Sequence, residues 1–243
     1  MEDHLYRQFY EIENDHWWFA ARRKILIAYL RHRVDTSPRL KLLDVGCGTG
    51  SILAEASHYC DAYGLDASPQ AVEFCQKRGL SKLFVGNLDT YPGGERFDVI
   101  TLLDVIEHLD DDLGVLKQAH ARLADNGHVL ITVPAYQWLW SSHDVVNHHK
   151  RRYTRKHLST VVSNAGFSID HVTYFNTVLF PIALMRRVFA RASSTKQADD
   201  FVIPSGPVNA ALYGIFRLEG SVVPYITLPF GLSVLCWASK TRT

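Results

Sequence analysis

Four histidines, an aspartate and a run of basic residues lie close together in the stretch SSHDVVNHHKRRYTRKHL, residues 141–158 of the 243-residue chain. Imidazole titrates near neutral pH, so His143 or His149 could serve as a general base in catalysis. Asp144 could orient such an imidazole through a hydrogen bond. The same residue types would also suit a metal site, a nucleic-acid patch or a solvated turn, so the stretch alone leaves four interpretations open.

The basic half of this stretch has several uses. Arg152 and Tyr153, next to Arg151, could bind a carboxylate or phosphate of a substrate, because arginine pairs with both groups in a bidentate manner. The formal net charge of the whole chain is only +1, so the sequence supplies no general basic face and we predict no nucleic-acid partner.

A metal site competes with the catalytic interpretation. In a helix, Asp144 and His148 would be four residues apart and share a face, a common arrangement of metal ligands. Glu107 and His108, in the sequence DVIEHL, could complete such a site. We assign no metal here and predict instead that His108 is a further candidate base, although Glu107 and His108 could simply orient the segment that follows them.

A glycine turn, LLDVGCGTG, precedes these residues and places Gly46, Gly48 and Gly50 directly after an apolar run. Glycines there let the backbone turn tightly and approach a ligand. Asp66 follows twenty residues after the first glycine, which suits a carboxylate that binds ribose hydroxyls. Asp44 would repel a pyrophosphate but could receive an ammonium group, which argues against a nicotinamide cofactor.

The elements around the turn alternate between strand and helix. Apolar strands are predicted at LKLLDV, DAYGLD, KLFVG, FDVITLLD and HVLITVP, with helices between them, including one over DLGVLKQAHARLADNG. A helix at RKHLSTVVSNAG and strands at SIDHVTYF and GLSVLCWASK follow, and residues 176–229 are predicted to be irregular. This order predicts a Rossmann-like, doubly wound, mostly parallel seven-stranded α/β sheet with helices on both faces.

In this order and spacing, LLDVGCGTG, YGLDAS and FDVITLLDVIEHL resemble the motifs of class I S-adenosylmethionine-dependent methyltransferases. The resemblance implies S-adenosylmethionine as cofactor and S-adenosylhomocysteine as product. It implies that Asp44 and the glycine turn hold the methionine part, that Asp66 holds the ribose, and that Asp104 lies beside the transferred methyl group. The full set of implied cofactor residues is Asp44, Gly46, Cys47, Gly48, Gly50, Asp66, Ala67, Asn87, Leu88 and Asp104, with Asn87 and Leu88 near the adenine.

The flanks resemble a narrower group of methyltransferases that carry HWWF–RR and HD–H–RRYT motifs. The aromatic residues of HWWF either anchor the first helix to the sheet or cover the acceptor. The predicted acceptor-binding residues are Trp17, Trp18, Tyr136, Asp144, Arg152 and Tyr153.

These observations predict one methyltransferase domain over residues 1–243. It comprises an N-terminal helical cap (1–37), a cofactor-binding core (38–134) and acceptor-side insertions with the final strands (135–243). We expect O-methylation of a small-molecule, glycan-precursor or lipid-linked acceptor; N- or C-methylation and a non-catalytic cofactor-binding protein are the alternatives.

Four scattered cysteines and the lack of a signal pattern favour the cytoplasm. The basic apolar stretch NTVLFPIALMRRVFARA leaves open peripheral contact with the inner membrane face or a homodimer interface.

Overall fold

Seven strands form one sheet in the order β3-β2-β1-β4-β5-β7-β6 in this computed structural model, which describes residues 3–35, 37, 39–185 and 202–241. The strands β1 to β5 are parallel, and β7 runs antiparallel between β5 and β6. The predicted Rossmann-like, mostly parallel sheet is confirmed. The strands are β1 (Lys41–Val45), β2 (Asp61–Asp66), β3 (Leu83–Val85), β4 (Phe97–Leu103), β5 (Leu123–Pro134), β6 (Phe167–Phe175) and β7 (Ser233–Lys240).

Helices cover both faces of this sheet. They are α1 (Asp3–Ile12), α2 (Trp17–Arg33), α3 (Ser51–Ala56), α4 (Pro69–Lys77), α5 (Asp112–Arg122), α6 (Ser142–Val146), α7 (Arg155–Asn164), α8, described over residues 180–185, and α9 (Gly206–Arg217). Short 3₁₀ turns lie at Ile106–His108, Gln137–Leu139 and Leu218–Ser221. Pro69 begins α4 and the Ser68 hydroxyl accepts from the backbone N–H of Ala71, the cap expected from the sequence.

The apolar runs of the central strands feed two separate cores. Val99 of β4 packs on the side of α2, α3 and α9, and the next residue, Ile100, packs on the side of α5 and α7. Successive strand residues point to opposite faces, so a strand covered on both sides is apolar at most positions. This explains why FDVITLL shows no alternation and why α2 belongs to a packed layer.

Two boundary predictions were wrong, for the helix after β4 and for residues 176–229. The helix after β4 ends at Arg122, because Leu123 already pairs with Phe97 in the sheet. The N-terminal segment is helical as predicted and comprises α1 and α2, since the chain turns at residues 13–16 and the His16 ring caps α2 at the Trp18 backbone N–H. Residues 176–229 were predicted to be irregular but contain α8 and α9. The buried Glu219 carboxylate accepts from three backbone N–H groups at 176–178 and ties β6 to the turn after α9.

Within the residues that the structure describes, no helix combines the length and the apolar character needed to cross a membrane. Arg186, Arg187 and Arg191, the basic residues of the stretch considered for membrane contact, lie outside the described residues. Peripheral membrane contact, a homodimer and the domain boundaries remain predictions of the sequence.

Candidate functional site

The glycine turn after β1 has a backbone that side chains would disturb. Gly46, Gly48 and Gly50 have φ angles of +69°, +54° and +79°, in the left-handed region that favours glycine. A Cβ at Gly46 would lie 2.6 Å from Val105 Cγ2, whereas one at Gly48 would meet no described atom within 4 Å. The backbone at Gly48 is therefore open to a ligand. We call this region, residues 44–50 and 66–68, the glycine edge.

Asp66 at the end of β2 helps to hold this turn. Its carboxylate accepts from the backbone N–H groups of Gly48 and Ser68, both at 2.9 Å. A carboxylate has about four acceptor positions, so two stay available for hydroxyl groups of a ligand. Burial raises the pKa of Asp66 and these two hydrogen bonds lower it. The geometry suits the predicted binding of a ribose.

Asp44 at the end of β1 is a buried acid beside the same turn. It accepts a hydrogen bond of 2.6 Å from the Thr101 hydroxyl. Burial raises the pKa of Asp44 from 3.8 to about 7, an effect that the Thr101 bond and Arg22 partly offset. A positively charged ligand group beside this carboxylate would favour its ionised form.

The N-terminal segment closes onto the glycine edge through Glu13. Its carboxylate accepts from the Thr49 hydroxyl at 2.6 Å and pairs with Arg78 beyond α4. These contacts join parts of the chain more than thirty residues apart, and no local pattern in the sequence indicated them.

Asp104 follows β4 and has a φ angle of +58°, which is strained for a residue with a side chain. Its carboxylate pairs with Arg22 of α2 at 2.9 Å and accepts from the Thr132 hydroxyl at 3.0 Å. Arg22 also donates to Thr132 at 2.9 Å and lies over the Trp18 ring. Sequence reasoning missed the role of Arg22, although the HWWF–RR motif contains it.

The remaining predicted cofactor residues differ in exposure. The thiol of Cys47 is buried 3.8 Å from Cys75 Sγ, and Ala67 is exposed. Asn87 is exposed in a turn whose Thr90 hydroxyl accepts its backbone N–H, while the Leu88 side chain packs in the core. Only the backbone of Leu88 could therefore line a ligand.

The stretch around Asp144 is organised by a buried ion pair. Arg152 donates to both carboxylate oxygens of Asp144, at 2.7 and 2.9 Å, and to the Ala135 carbonyl at 3.1 Å. Burial alone would raise the pKa of Asp144, but hydrogen bonds from His149 and Arg152 outweigh it and hold the pKa well below its ordinary value. The polar atoms of Asp144 and Arg152 therefore serve each other in this structure, and their contact with the acceptor stays a prediction.

Tyr153 also has an internal role. Its side chain is fully buried and its hydroxyl donates to the Asp112 carboxylate at 2.6 Å. The neighbouring Arg151 pairs with the same carboxylate at 2.9 Å. A phenol and a guanidinium engaged in this way position the loop after β5, and the contact of Tyr153 with the acceptor stays a prediction.

His149, His108 and Glu107 meet beyond the carboxyl ends of β4 and β5. His149 Nδ1 lies 2.8 Å from Asp144 Oδ1, and its ring centroid is 4.6 Å from that of His108. Burial, followed by the nearby His149, lowers the pKa of His108 to about 4, so this imidazole is neutral at physiological pH. We call this region, residues 104–108 and 135–153, the histidine edge.

The predictions for two other histidines of the stretch, His148 and His143, have different outcomes. The helix α6 ends at Val146, and His148 is exposed with a φ angle of +56°, so Asp144 and His148 do not share a helical face as the metal interpretation required. The side chain of His143 lies outside the described residues, so its predicted catalytic role stays a prediction.

The three aromatic residues other than Tyr153 that were predicted to bind the acceptor have different surroundings. Trp17 packs edge-to-face on Phe216 of α9, at a centroid distance of 6.1 Å, and belongs to the core. Trp18 lies beside Arg22 and hence near Asp104. Tyr136 has a φ angle of +57° and is half-buried, stacked on Tyr174 at 5.1 Å. Trp18 and Tyr136 remain available as flat walls for an acceptor.

Comparison with known proteins identifies this architecture. Residues 15–172 match the family model described as a methyltransferase domain. A ubiquinone biosynthesis O-methyltransferase from Actinobacillus pleuropneumoniae is 34% identical over 113 residues, which are 41% of this chain and 47% of that protein. The match therefore spans about half the length of this curated relative.

Solved structures share the fold over nearly the whole chain. A chain of the Haloferax volcanii complex between the Trm112 methyltransferase activator and a methyltransferase has a TM-score of 0.63 at 17% identity. The similarity covers 99% of this chain and 96% of that one. The N-methyltransferase NodS from Bradyrhizobium japonicum, in complex with S-adenosylhomocysteine, has a TM-score of 0.58 at 12% identity, with 94% and 90% covered. At these identities the likeness concerns the fold.

Proposed function

We propose that this chain, which belongs to the family of methyltransferase domains, uses S-adenosylmethionine to transfer a methyl group to a hydroxyl oxygen of a small-molecule acceptor. The observation that carries this proposal is the Asp144–His149 pair, which faces His108 one turn after Asp104. The cofactor supplies an activated methyl group on a sulfonium. The protein must align a nucleophile with it and, for a hydroxyl, accept a proton.

The residues of the glycine edge fit this cofactor. The open backbone at Gly48 allows close approach of a ligand. No described residue forms an ion pair with the buried Asp44 carboxylate, and an ammonium group of the ligand would supply that partner. Asp66 keeps acceptor positions for two ribose hydroxyls. We infer that Asp44 and the turn hold the amino-acid end and that Asp66 holds the ribose.

The histidine edge fits a hydroxyl acceptor. Because the Asp144 carboxylate is ionised, His149 must donate its Nδ1–H to it, and this tautomer has its lone pair on Nε2. The imidazole can then accept the proton of the acceptor hydroxyl, with Asp144 stabilising the resulting imidazolium. Arg22 keeps Asp104 oriented, and Trp18 and Tyr136 offer flat apolar surfaces to an aromatic, glycan-precursor or lipid-linked acceptor.

The name of the Actinobacillus relative supports an oxygen as the methylated atom, although its match covers less than half of this chain. The test is incubation of the protein with trideuteromethyl-labelled cofactor and a cell extract, followed by mass identification of the product. The expected product carries the label on oxygen. A label on nitrogen or carbon alone would refute the O-directed proposal and favour the N- or C-methylation alternative, and no labelled product would favour the non-catalytic one.

A further inference from the structure

Three potential metal-ligating side chains converge at the histidine edge. One ligand atom each from Glu107, His108 and His149 can be chosen so that all lie within 4.8 Å of one another. In a tetrahedral site, donors about 2.0–2.2 Å from a divalent transition ion lie roughly 3.3–3.6 Å from each other. Side-chain rotations that shorten the present separations by at most roughly 1.5 Å would close the group around an ion.

The carboxylate of Glu107 is the unusual member of this group. Its side chain is fully buried, and neither oxygen has a hydrogen-bond partner among the described residues. The nearest guanidinium groups belong to Arg22 and Arg152, which are engaged by Asp104 and Asp144. A buried acid without a partner is strongly disfavoured in its charged form. A cation would satisfy this carboxylate, one oxygen of which lies within 4.8 Å of a ring nitrogen of each imidazole.

Both imidazoles are already oriented as ligands by a second bond. Asp144 fixes His149 at Nδ1, and a ring N–H of His108 donates to the Asn147 backbone carbonyl. Metal-binding histidines typically donate one ring N–H to a carboxylate or carbonyl in this way, which leaves the other nitrogen to bind the ion. Asp144 is in turn held by Arg152 and by the Ser141 backbone N–H at 2.8 Å.

We propose that Glu107, His108 and His149 form a binding site for a divalent transition-metal ion of the Zn²⁺ type. One carboxylate and two imidazoles suit Zn²⁺ and its neighbours in the first transition row, and the nitrogen donors disfavour Mg²⁺ and Ca²⁺. Three protein ligands leave a coordination position open, as in catalytic and not in structural zinc sites.

The position of the site gives the open coordination position a use, which rests on the proposed function. Glu107 and His108 follow Asp104 within one turn, at the histidine edge where the proposed function places the acceptor. A hydroxyl oxygen bound to the ion would lose its proton to solvent more readily, because a bound cation lowers the pKa of such a group. With the proton lost to solvent, the reaction would no longer need His149 as a proton acceptor, the role that it has in a metal-free site.

The test measures metal binding directly, without turnover. Protein stripped with EDTA is titrated with Zn²⁺ by calorimetry and with Co²⁺ by visible absorption, and the bound metal is counted by mass spectrometry. We expect one ion per chain, a rise in melting temperature with Zn²⁺, and at least a 100-fold loss of affinity in Glu107→Gln and His149→Ala. Glu107→Gln keeps the shape of the buried side chain, and Asp144→Asn should lose about 10- to 100-fold through His149 alone.

The matched control is His148→Asn, which removes the adjacent exposed histidine at a left-handed position that asparagine tolerates. It should bind Zn²⁺ as the wild type does. If the wild type and Glu107→Gln bound Zn²⁺ equally, or if neither bound it, the proposed metal site would be refuted. The proposal of O-methylation would be unaffected by either result. Binding with label transfer unchanged by EDTA would overturn the role of the ion at the acceptor. A bound ion with the label only on nitrogen would instead refute the proposed function alone.

Discussion

The glycine edge of the pocket is held by backbone conformation, whereas the histidine edge is held by buried charges. Around Gly48, left-handed φ angles and two hydrogen bonds to Asp66 define the turn within a short piece of chain. Around Asp144, a bidentate pair with Arg152 and the Asp104–Arg22 pair join distant elements. The first edge therefore depends on local geometry, and the second depends on the fold of the whole domain.

The largest predicted effect is at the histidine edge. Arg152→Ala would leave the Asp144 carboxylate buried with its main partner lost, and removal of one member of a buried pair costs about 3–5 kcal/mol. Urea unfolding should show this loss in the free energy of unfolding. The control is Arg151→Ala, which breaks a more exposed pair with Asp112 and should cost about 1 kcal/mol or less. Equal losses in the two variants would contradict the comparison of the two edges.

At the glycine edge the main effect should be on ligand affinity and its pH dependence. Because the pKa of Asp44 is raised to about 7, cofactor binding that needs the ionised form must release a proton at lower pH. We expect the affinity for S-adenosylmethionine to fall by up to about tenfold per pH unit below pH 7. By the same linkage, the cofactor-free protein loses the stability contributed by protonated Asp44 as the pH rises from about 4 to about 7.

Calorimetry in buffers of different ionisation enthalpy would measure both the affinity and the released protons. Asp44→Asn cannot ionise, so it should bind weakly and without this proton release. If the wild-type affinity were flat between pH 5 and pH 8, Asp44 would not be the group that receives the charged end of the cofactor.

The smallest predicted effect separates backbone strain from ligand contact. Gly48 and Gly79 have φ angles of +54° and +82°, and a Cβ at either would meet no described atom within 4 Å. Alanine at each should therefore cost about 1–2 kcal/mol of stability from the left-handed backbone. Only Gly48→Ala should also weaken cofactor binding, by roughly tenfold. An equal loss of affinity in Gly79→Ala would show that strain, and not contact, explains the glycine turn.

The two edges also differ in how far the sequence could predict them. Gly46, Gly48 and Asp66 follow strands whose apolar runs are visible, so their place at one end of the sheet could be inferred from spacing. Arg152 and Tyr153 were recognised as chemically able, but burial gave them Asp144 and Asp112 as partners. The contact of Arg22 with Asp104 spans eighty-two residues, and tertiary packing alone sets it.

The proposed O-methylation depends most directly on His149. The deciding measurement is the single-turnover rate of methyl transfer by His149→Ala at saturating cofactor, with cofactor affinity measured in the same sample. A lost general base, or a lost ligand to an ion that replaces it, should lower the rate by about 10²–10⁴-fold. Cofactor affinity should stay within about twofold, because Asp44, Gly48 and Asp66 are untouched, and His148→Asn should transfer at the wild-type rate. A His149→Ala rate equal to that of the wild type would contradict the proposed role of His149 in methyl transfer.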